Sequence, residues 1–299
     1  MSTLLAPNPV SDGAGAANTS PLNCSSWQVL LTLIHDTIQE AKARWLFWGL
    51  YGLSTLLILF FLFVLKIDVV QGAVSLMDIG PVRTVANIEK FVRTAYMFVA
   101  VFLYIWGTFL AVFASSGLIP SVLEPGRIGL LLSKPVSRPM LLMGRYVGNL
   151  LVVTVNNIYL IGAIWVIIGI KTNIWYTTFL YAIPLTILIF AVLLSVVVFI
   201  GVISESAALS VMVAAALMLI SAVLAQRRIV IQLLDSEWSR DLWQGLYWVL
   251  PKVYDLAKAM HDVILKESPV NWVNPLWTSA LFGIVILSAA IYIFQRKDY

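Results

Sequence analysis

The chain has 299 residues, of which 61% are hydrophobic and 11% are charged, and its mean hydropathy is +0.93. Soluble domains carry roughly half apolar and a quarter charged residues, so this composition excludes an ordinary soluble protein and favours a membrane protein. The formal net charge of +4 suits anionic lipid head groups and indicates no nucleic-acid partner, and the single cysteine excludes an intramolecular disulfide or a cysteine-based metal cluster.

The first 26 residues are predicted to form a disordered tail. They are rich in Ser, Ala, Asn, Pro and Gly, which cannot build an apolar core. They lack the positive start and the apolar stretch of a secretory signal.

Residues 27–44 predict an amphipathic helix, because apolar residues recur at helical spacing and polar residues lie elsewhere. Val29 and Leu33 depart slightly from this pattern. Such a helix can lie in the membrane interface as an anchor, or it can act as a lever that also touches a cytoplasmic partner. The apolar face is made of Trp27, Leu30, Leu31, Ile34, Ile38, Ala41 and Trp45.

Six uncharged runs follow, each long enough to cross a bilayer, whose hydrocarbon core needs roughly 20 helical residues. None of them shows the alternation of a barrel strand. The predicted fold class is therefore all-α, a polytopic membrane protein whose residues 45–299 form a domain of six transmembrane helices. The runs are 45–65, 94–123, 146–170, 172–204, 206–226 and 268–295.

The connections between the runs predict how the chain lies in the membrane. Six spans place both termini on one side, and the basic loop 119–145 favours the cytoplasm for that side under the positive-inside rule. The polar segments 66–93 and 227–275 are then extracytoplasmic. The second of these segments carries four tryptophans, which predicts short helices lying on the membrane.

The residues give no sign of catalysis. His35 and His261 are isolated, and no phosphate-binding glycine motif occurs, so the chain is not predicted to be an enzyme. The centres of the six runs hold no ionisable side chain of the kind that marks an ion or proton path. Asn149, Asn156 and Asn157 in the third run are interpreted as interhelical hydrogen-bonding residues rather than ligands.

The loop between the second and third runs has the sequence EPGRIGLLLSKPVSRPMLLMGRY over residues 124–146. Pro125 and Pro135 leave room for one or two helical turns, and Ser137 and Pro139 suit the start of the next helix. The prediction is a short, angled cytoplasmic helix with an apolar surface and flanking cations. Setting orientation needs only charges, so a rigid apolar helix indicates that another protein docks here.

This loop resembles that of the type-2 ABC exporter permeases, whose pattern is roughly E-x-G-T-φ-x-x-L-L-S/T-x-P-V/L-S/G-R followed by G-K/R. Arg127 departs from the pattern, since the family usually has Thr there. Three further stretches are similar to the family: Glu40, Arg44 and Trp45; "SESAALS"; and "LPKVYDL" with Leu250, Pro251 and Tyr254. The matching loop residues are Glu124, Gly126, Ile128, Leu131, Leu132, Ser133, Pro135, Val136, Ser137, Arg138, Gly144 and Arg145.

The resemblance implies a permease subunit that forms the substrate path of an ATP-binding cassette exporter in a bacterial inner (plasma) membrane. It implies a second permease, identical or homologous, with the first, second and fifth spans between the two copies, and two separate ATPase subunits. ATP and Mg would be bound by those ATPases, with no cofactor in this chain. The loop would act as a coupling helix seated in a groove of the ATPase.

Two sets of residues are implied in contact with the ATPase. The ATPase-coupling residues are Glu124, Gly126, Arg127, Ile128, Leu131, Leu132, Ser133, Pro135 and Arg138. The interfacial-helix residues are Trp27, Leu31, Ile34, Ile38, Glu40 and Arg44.

Two other classes of function compete with this interpretation. A membrane anchor or assembly scaffold of an ATPase complex, without transport of its own, is compatible with spans that hold no charge. A membrane enzyme acting on lipid is disfavoured, because no acid–base or metal cluster is evident. The cargo of a transporter stays open.

Overall fold

The computed structural model describes residues 26–63, 67–70, 73–76, 86–117, 137–226, 230, 237–265 and 273–297. A π-helical segment, Leu103–Gly107, joins α3 to α4, and a 3₁₀ segment, Thr177–Tyr181, precedes α6. The helices are α1 (Ser26–Ala43), α2 (Trp45–Phe63), α3 (Ile88–Phe102), α4 (Thr108–Ser116), α5 (Arg138–Thr172), α6 (Ala182–Ser204), α7 (Ala207–Ala225), α8 (Glu237–Val249), α9 (Val253–Leu265) and α10 (Val273–Arg296).

The six predicted transmembrane helices are confirmed, since six stretches of the described residues are long and apolar enough to cross a membrane. The third is longer than predicted. Its 35 residues extend about 52 Å, which is longer than a hydrocarbon core of about 30 Å. Several turns of this helix therefore lie outside the core. The spans are Trp45–Phe63, Val92–Ser116, Arg138–Thr172, Thr177–Ser204, Ala207–Ala225 and Val273–Arg296.

A small antiparallel sheet lies between the first two spans and was not predicted. Its strands are β1 (Ile67–Val70), β2 (Ala73–Leu76) and β3 (Ala86–Asn87), in the order β1-β2-β3. Ile67 pairs with Leu76 and Val70 with Ala73 in the first ladder. Strands of two to four residues are too short to show a clear alternating pattern, so sequence reasoning interpreted this segment only as a polar connection.

The helices alternate in direction, which gives the bundle two ends. At the near end, Arg138 at the start of α5 donates a hydrogen bond to the carbonyl of Lys297, and the Lys297 ammonium pairs with Glu205 in the α6–α7 turn. At the far end, Lys171 near the end of α5 donates to the carbonyl of Phe61 near the end of α2, at 3.2 Å. Both termini of the bundle therefore lie at the near end.

Helix α6 forms the centre of the bundle, with α4, α5, α7 and α10 packed around it. Its Phe190, Leu193 and Val197 are fully buried. Two buried serines donate to the predicted asparagines, Ser115 to Asn149 at 3.0 Å and Ser54 to Asn156 at 3.1 Å. These bonds join the first and second spans to the third, which confirms the interhelical role predicted for Asn149 and Asn156.

The predicted short helices between the fifth and sixth spans are present as α8 and α9. Helix α9 does not lie on the surface, however, because Leu256, Ala259, Met260 and Ile264 are buried against the bundle. It packs against α3, α6, α7 and α10. Its apolar face therefore fills the far end of the bundle.

The α6–α7 turn offers a test of local backbone strain. Glu205 has a left-handed φ of 55°, a conformation that costs a non-glycine residue about 1 kcal/mol or more. We expect Glu205→Gly to be more stable than Glu205→Ala by about 1 kcal/mol, although both lose the ion pair with Lys297. Thermal melting of the two purified variants measures this difference, and equal melting temperatures would contradict it.

Candidate functional site

Helix α1 packs against α5, and the residue that follows α1, Arg44, reaches the end of the second span, so α1 is linked to both sides of the loop 118–136. Arg44 at the end of α1 donates to Glu40 at 3.1 Å and to the carbonyl of Gly117, just after the second span, at 3.0 Å. Arg145 in α5 donates to Glu40 and reaches Asp36 at 3.4 Å. We call these residues, Asp36, Glu40, Arg44, Gly117 and Arg145, the junction.

The centre of the junction is a buried ion pair. Arg145 is only 4% exposed, and only 14% of the Glu40 side chain is exposed. Water therefore cannot solvate either charge fully, and each charge needs a partner in the protein. Glu40 accepts from two arginines at once, with Arg44 on one oxygen and Arg145 on the other. Asp36, with 58% of its side chain exposed, adds a weaker partner at the surface.

Two glycines of α5 allow α1 to approach closely enough for these bonds. A Cβ added at Gly144 would lie 2.7 Å from Leu33 Cβ, and one added at Gly148 would lie 2.7 Å from Thr37 Cβ. No ordinary side chain tolerates such distances. The Gly144-x-x-x-Gly148 spacing is therefore the packing surface on which α1 crosses α5.

The face that α1 buries differs from the apolar face predicted from the sequence. Leu33, which departed from the predicted pattern, belongs to the core, and Val29 packs against it. Of the predicted face, Trp27 and Leu31 are 64% and 49% exposed, and Ile34 and Ile38 are half-buried. One side of α1 thus holds α5. Of the predicted face Ala41 is also buried, and the exposed part around Trp27 and Leu31 is left for a membrane surface or a partner protein.

Most of the implied coupling residues lie outside the described residues. These are Glu124, Gly126, Arg127, Ile128, Leu131, Leu132, Ser133 and Pro135. Arg138 is described, and its guanidinium donates to the carbonyls of Gln295 and Lys297 in this same chain. Ser137 occupies the N-cap position of α5 with Pro139 in the first turn, although the Ser137 side chain makes no capping hydrogen bond.

Sequence reasoning found three members of the junction but not the pairing between Glu40 and Arg145. Glu40 and Arg44 were singled out in one motif and Arg145 in another, whereas Asp36 and Gly117 were not singled out. Asp36 and Glu40 are four residues apart and so lie on one face of α1, which signals a cationic partner without identifying it. In the described ranges, no group of three His, Cys, Asp or Glu side chains could hold a metal ion.

Comparison with known families gives one match. A family model described as ABC-2 family transporter protein matches residues 31–299, which covers the junction, all six spans and α8 and α9. No curated protein matches the chain.

Proposed function

The chain belongs to the ABC-2 transporter family, and from this premise we propose that it is the permease subunit of an ABC exporter driven by separate ATPase subunits. Family membership and the six spans make it a multi-pass membrane component of a transporter. We further propose two ATPase subunits, which bind ATP and Mg, and a second permease, identical or homologous. The proposed location is a bacterial inner membrane with both termini in the cytoplasm.

The observation that carries the proposal is that the junction connects α1 to both helices flanking the loop 118–136. On one side of the loop, Arg44 donates to the carbonyl of Gly117 at the end of the second span. On the other side, Arg145 in the second turn of α5 donates to Glu40 of α1. A force on the loop would therefore move α1, the second span and α5 together. Since α5 runs from the near end to the far end, the movement would reach both sides of the membrane.

This connection supports a mechanism in which the ATPase subunits hydrolyse ATP and the helices of this chain move in response. Closure of the ATPases would displace the loop, and the linked helices would shift between two arrangements of the path between the permeases. The exposed apolar face of α1 offers a second surface for the same partner. Trp27 and Leu31 would contribute apolar contacts, and Glu40 and Arg44 would hold the helix at its angle.

The test of docking replaces Leu131 and Leu132 with aspartate. In the short helix predicted from the sequence, helical spacing would place these two residues and Ile128 on one face and Leu130 on the opposite face. We expect Leu131→Asp/Leu132→Asp to lose the ATPase partner and transport-coupled hydrolysis while the chain still inserts. Leu130→Asp is the matched control and should keep both. Purification in mild detergent with mass spectrometry of the bound chains measures the loss.

The outcomes separate the proposal from the scaffold alternative. Recovery of a soluble chain with a phosphate-loop ATPase motif, lost in the double variant and kept in Leu130→Asp, would support coupling. Recovery of the ATPase with all variants, without transport, would favour a scaffold. Repeated purification without any nucleotide-binding chain would contradict the proposed function.

A further inference from the structure

The near end of the bundle holds a second set of linked side chains, separate from the junction. Arg138, the first residue of α5, donates to the carbonyls of Gln295 and Lys297 at the end of α10. The Lys297 ammonium donates to the carbonyl of Val202 in the last turn of α6, at 3.0 Å, and pairs with Glu205 in the α6–α7 turn. These bonds link the start of α5 to the start of α7 by way of the end of α10.

Both cations of this link lie at the carboxyl end of a helix. The last four carbonyls of a helix have no partner within it, and that end carries a partial negative charge, so a nearby cation is stabilising. Arg138 fills this role for α10, and Lys297 fills it for α6. Since each cation comes from a neighbouring element and not from the helix that it caps, each cap also holds two elements together.

The ion pair in this link is much more exposed than the pair in the junction. The side chains of Lys297 and Glu205 are 29% and 49% exposed, against 5% and 14% for Arg145 and Glu40. Water competes for exposed charges, so such a pair contributes little to stability. It can therefore set the position of the turn and still break when the neighbouring helices move.

The backbone of the α6–α7 turn is strained at the residue that Lys297 binds. Glu205 has a left-handed φ of 55°, which glycine adopts without the steric cost that a glutamate bears. Strained residues of this kind cluster at switch regions of proteins. Only Ser206, the N-cap of α7, separates Glu205 from that helix, so a pull on the Glu205 carboxylate acts directly on the first turn of α7.

We propose that Arg138, Lys297 and Glu205 form a latch that closes the near end and opens when the loop is displaced. Movement of the loop draws Arg138 away from the end of α10, and Lys297 then loses its fixed place beside Glu205. The junction connects α1, the second span and α5, and the latch adds α6, α7 and α10 to the same movement. The inference rests on the proposed function, because displacement of the loop by an ATPase is the trigger.

The first test measures hydrogen–deuterium exchange of the full chain in nanodiscs, without ATP or ATPase. Lys297→Gln should speed exchange in the α6–α7 turn by up to about fivefold, the upper limit for an exposed ion pair. Arg138→Gln should speed exchange in the same turn, although the bonds of Arg138 go to α10 and not to the turn. This effect at a distance is what distinguishes a latch from two independent caps.

Two matched variants control for loss of charge and loss of packing. Arg296→Gln removes the adjacent cation, which stacks on the Tyr292 ring outside the latch, and should leave exchange in the turn unchanged. Lys297→Arg keeps a cationic donor and should keep the turn protected. Unchanged exchange of the turn in Arg138→Gln, or equal effects of Arg296→Gln and Lys297→Gln, would overturn the latch.

The second test asks whether the latch opens in the assembled complex. Glu205→Cys and Lys297→Cys in a Cys24→Ser background are joined by a short bifunctional maleimide, which fixes the latch closed. We expect the cross-linked complex to lose most of the ATP hydrolysis that it shows before the reagent is added. Arg296→Cys in the same background is the control for the reagent and should keep its activity. Full hydrolysis by the cross-linked complex would overturn the opening.

The two tests separate failure of the latch from failure of the proposed function. If the exchange results went against the latch, recovery of an ATPase with the chain would still support the permease. If no ATPase were recovered, the proposed function and the opening step would fail, and the exchange results would still decide whether the three side chains are linked.

Discussion

Replacing Arg145 with glutamine is expected to destabilise the chain by about 3 kcal/mol and to abolish coupled ATP hydrolysis in the assembled complex. The substitution removes the cation on one oxygen of Glu40, a largely buried carboxylate whose other oxygen accepts from Arg44. The expected cost is at the low end for breaking a buried pair, because Arg44 still compensates part of the charge. Thermal melting of the purified chain and ATPase activity of the complex measure the two effects.

A double-mutant cycle shows whether the pair itself is responsible. Glu40→Gln combined with Arg145→Gln removes both charges, so the combined loss should be smaller than the sum of the single losses. Lys42→Gln is the matched control, since it removes one positive charge from an exposed position of α1. If Arg145→Gln melted like the wild type, the junction would not hold α1 to α5.

The transmembrane helices could be predicted from the sequence because their signal is local. An uncharged apolar run of 20 residues has few alternatives to a membrane span, whatever the rest of the chain does. The uncharged run of the third span begins about two turns after the helix does, although Ser137 and Pro139 had predicted the start of that helix correctly. Arg138 and Arg145 interrupted the uncharged run, yet α5 continues through both because its first turns reach beyond the membrane core.

The face that α1 buries could not be predicted in the same way. The apolar pattern of residues 27–45 identifies a helix with a hydrophobic side. An interfacial helix can bury apolar side chains either in lipid or against protein, and the pattern does not say which side chains face which. The structure leaves Trp27 and Leu31 exposed and buries Leu33. The pair of glycines in α5, more than 100 residues away in the chain, determines which face of α1 is buried. The sequence of α1 alone does not indicate these glycines.

The junction combines residues that sequence reasoning placed in two separate motifs with two residues, Asp36 and Gly117, that it did not single out. Glu40 and Arg145 are 105 positions apart, so their pairing is a property of the fold and not of either motif. Matching residues to a family pattern names candidates without giving their contacts. For Arg138 the contacts also change the interpretation, because its guanidinium holds the end of α10 and so has a partner within the chain.

The second prediction with a large expected effect concerns the close crossing of α1 over α5. Gly148→Ala is expected to destabilise the chain by about 1–3 kcal/mol, the cost of overpacking a well-packed site, and to weaken coupling with it. The added methyl would meet Thr37 Cβ at 2.7 Å and the backbone carbonyl oxygen of Ile34 at 3.2 Å. A backbone oxygen cannot turn aside as a flexible side chain can, so α1 itself must move.

Gly162→Ala is the matched control for this change. It introduces the same methyl into the same helix, where nothing lies within 4 Å of the new atom. Because alanine favours a helix over glycine by about 1 kcal/mol, this variant should be at least as stable as the wild type. Thermal melting compares the two, and coupled ATPase activity shows whether the close contact serves function. Equal stability of the variants would mean that α1 is not held against α5, and the proposed coupling of the loop to the spans would have to run through Arg138 and α10 instead.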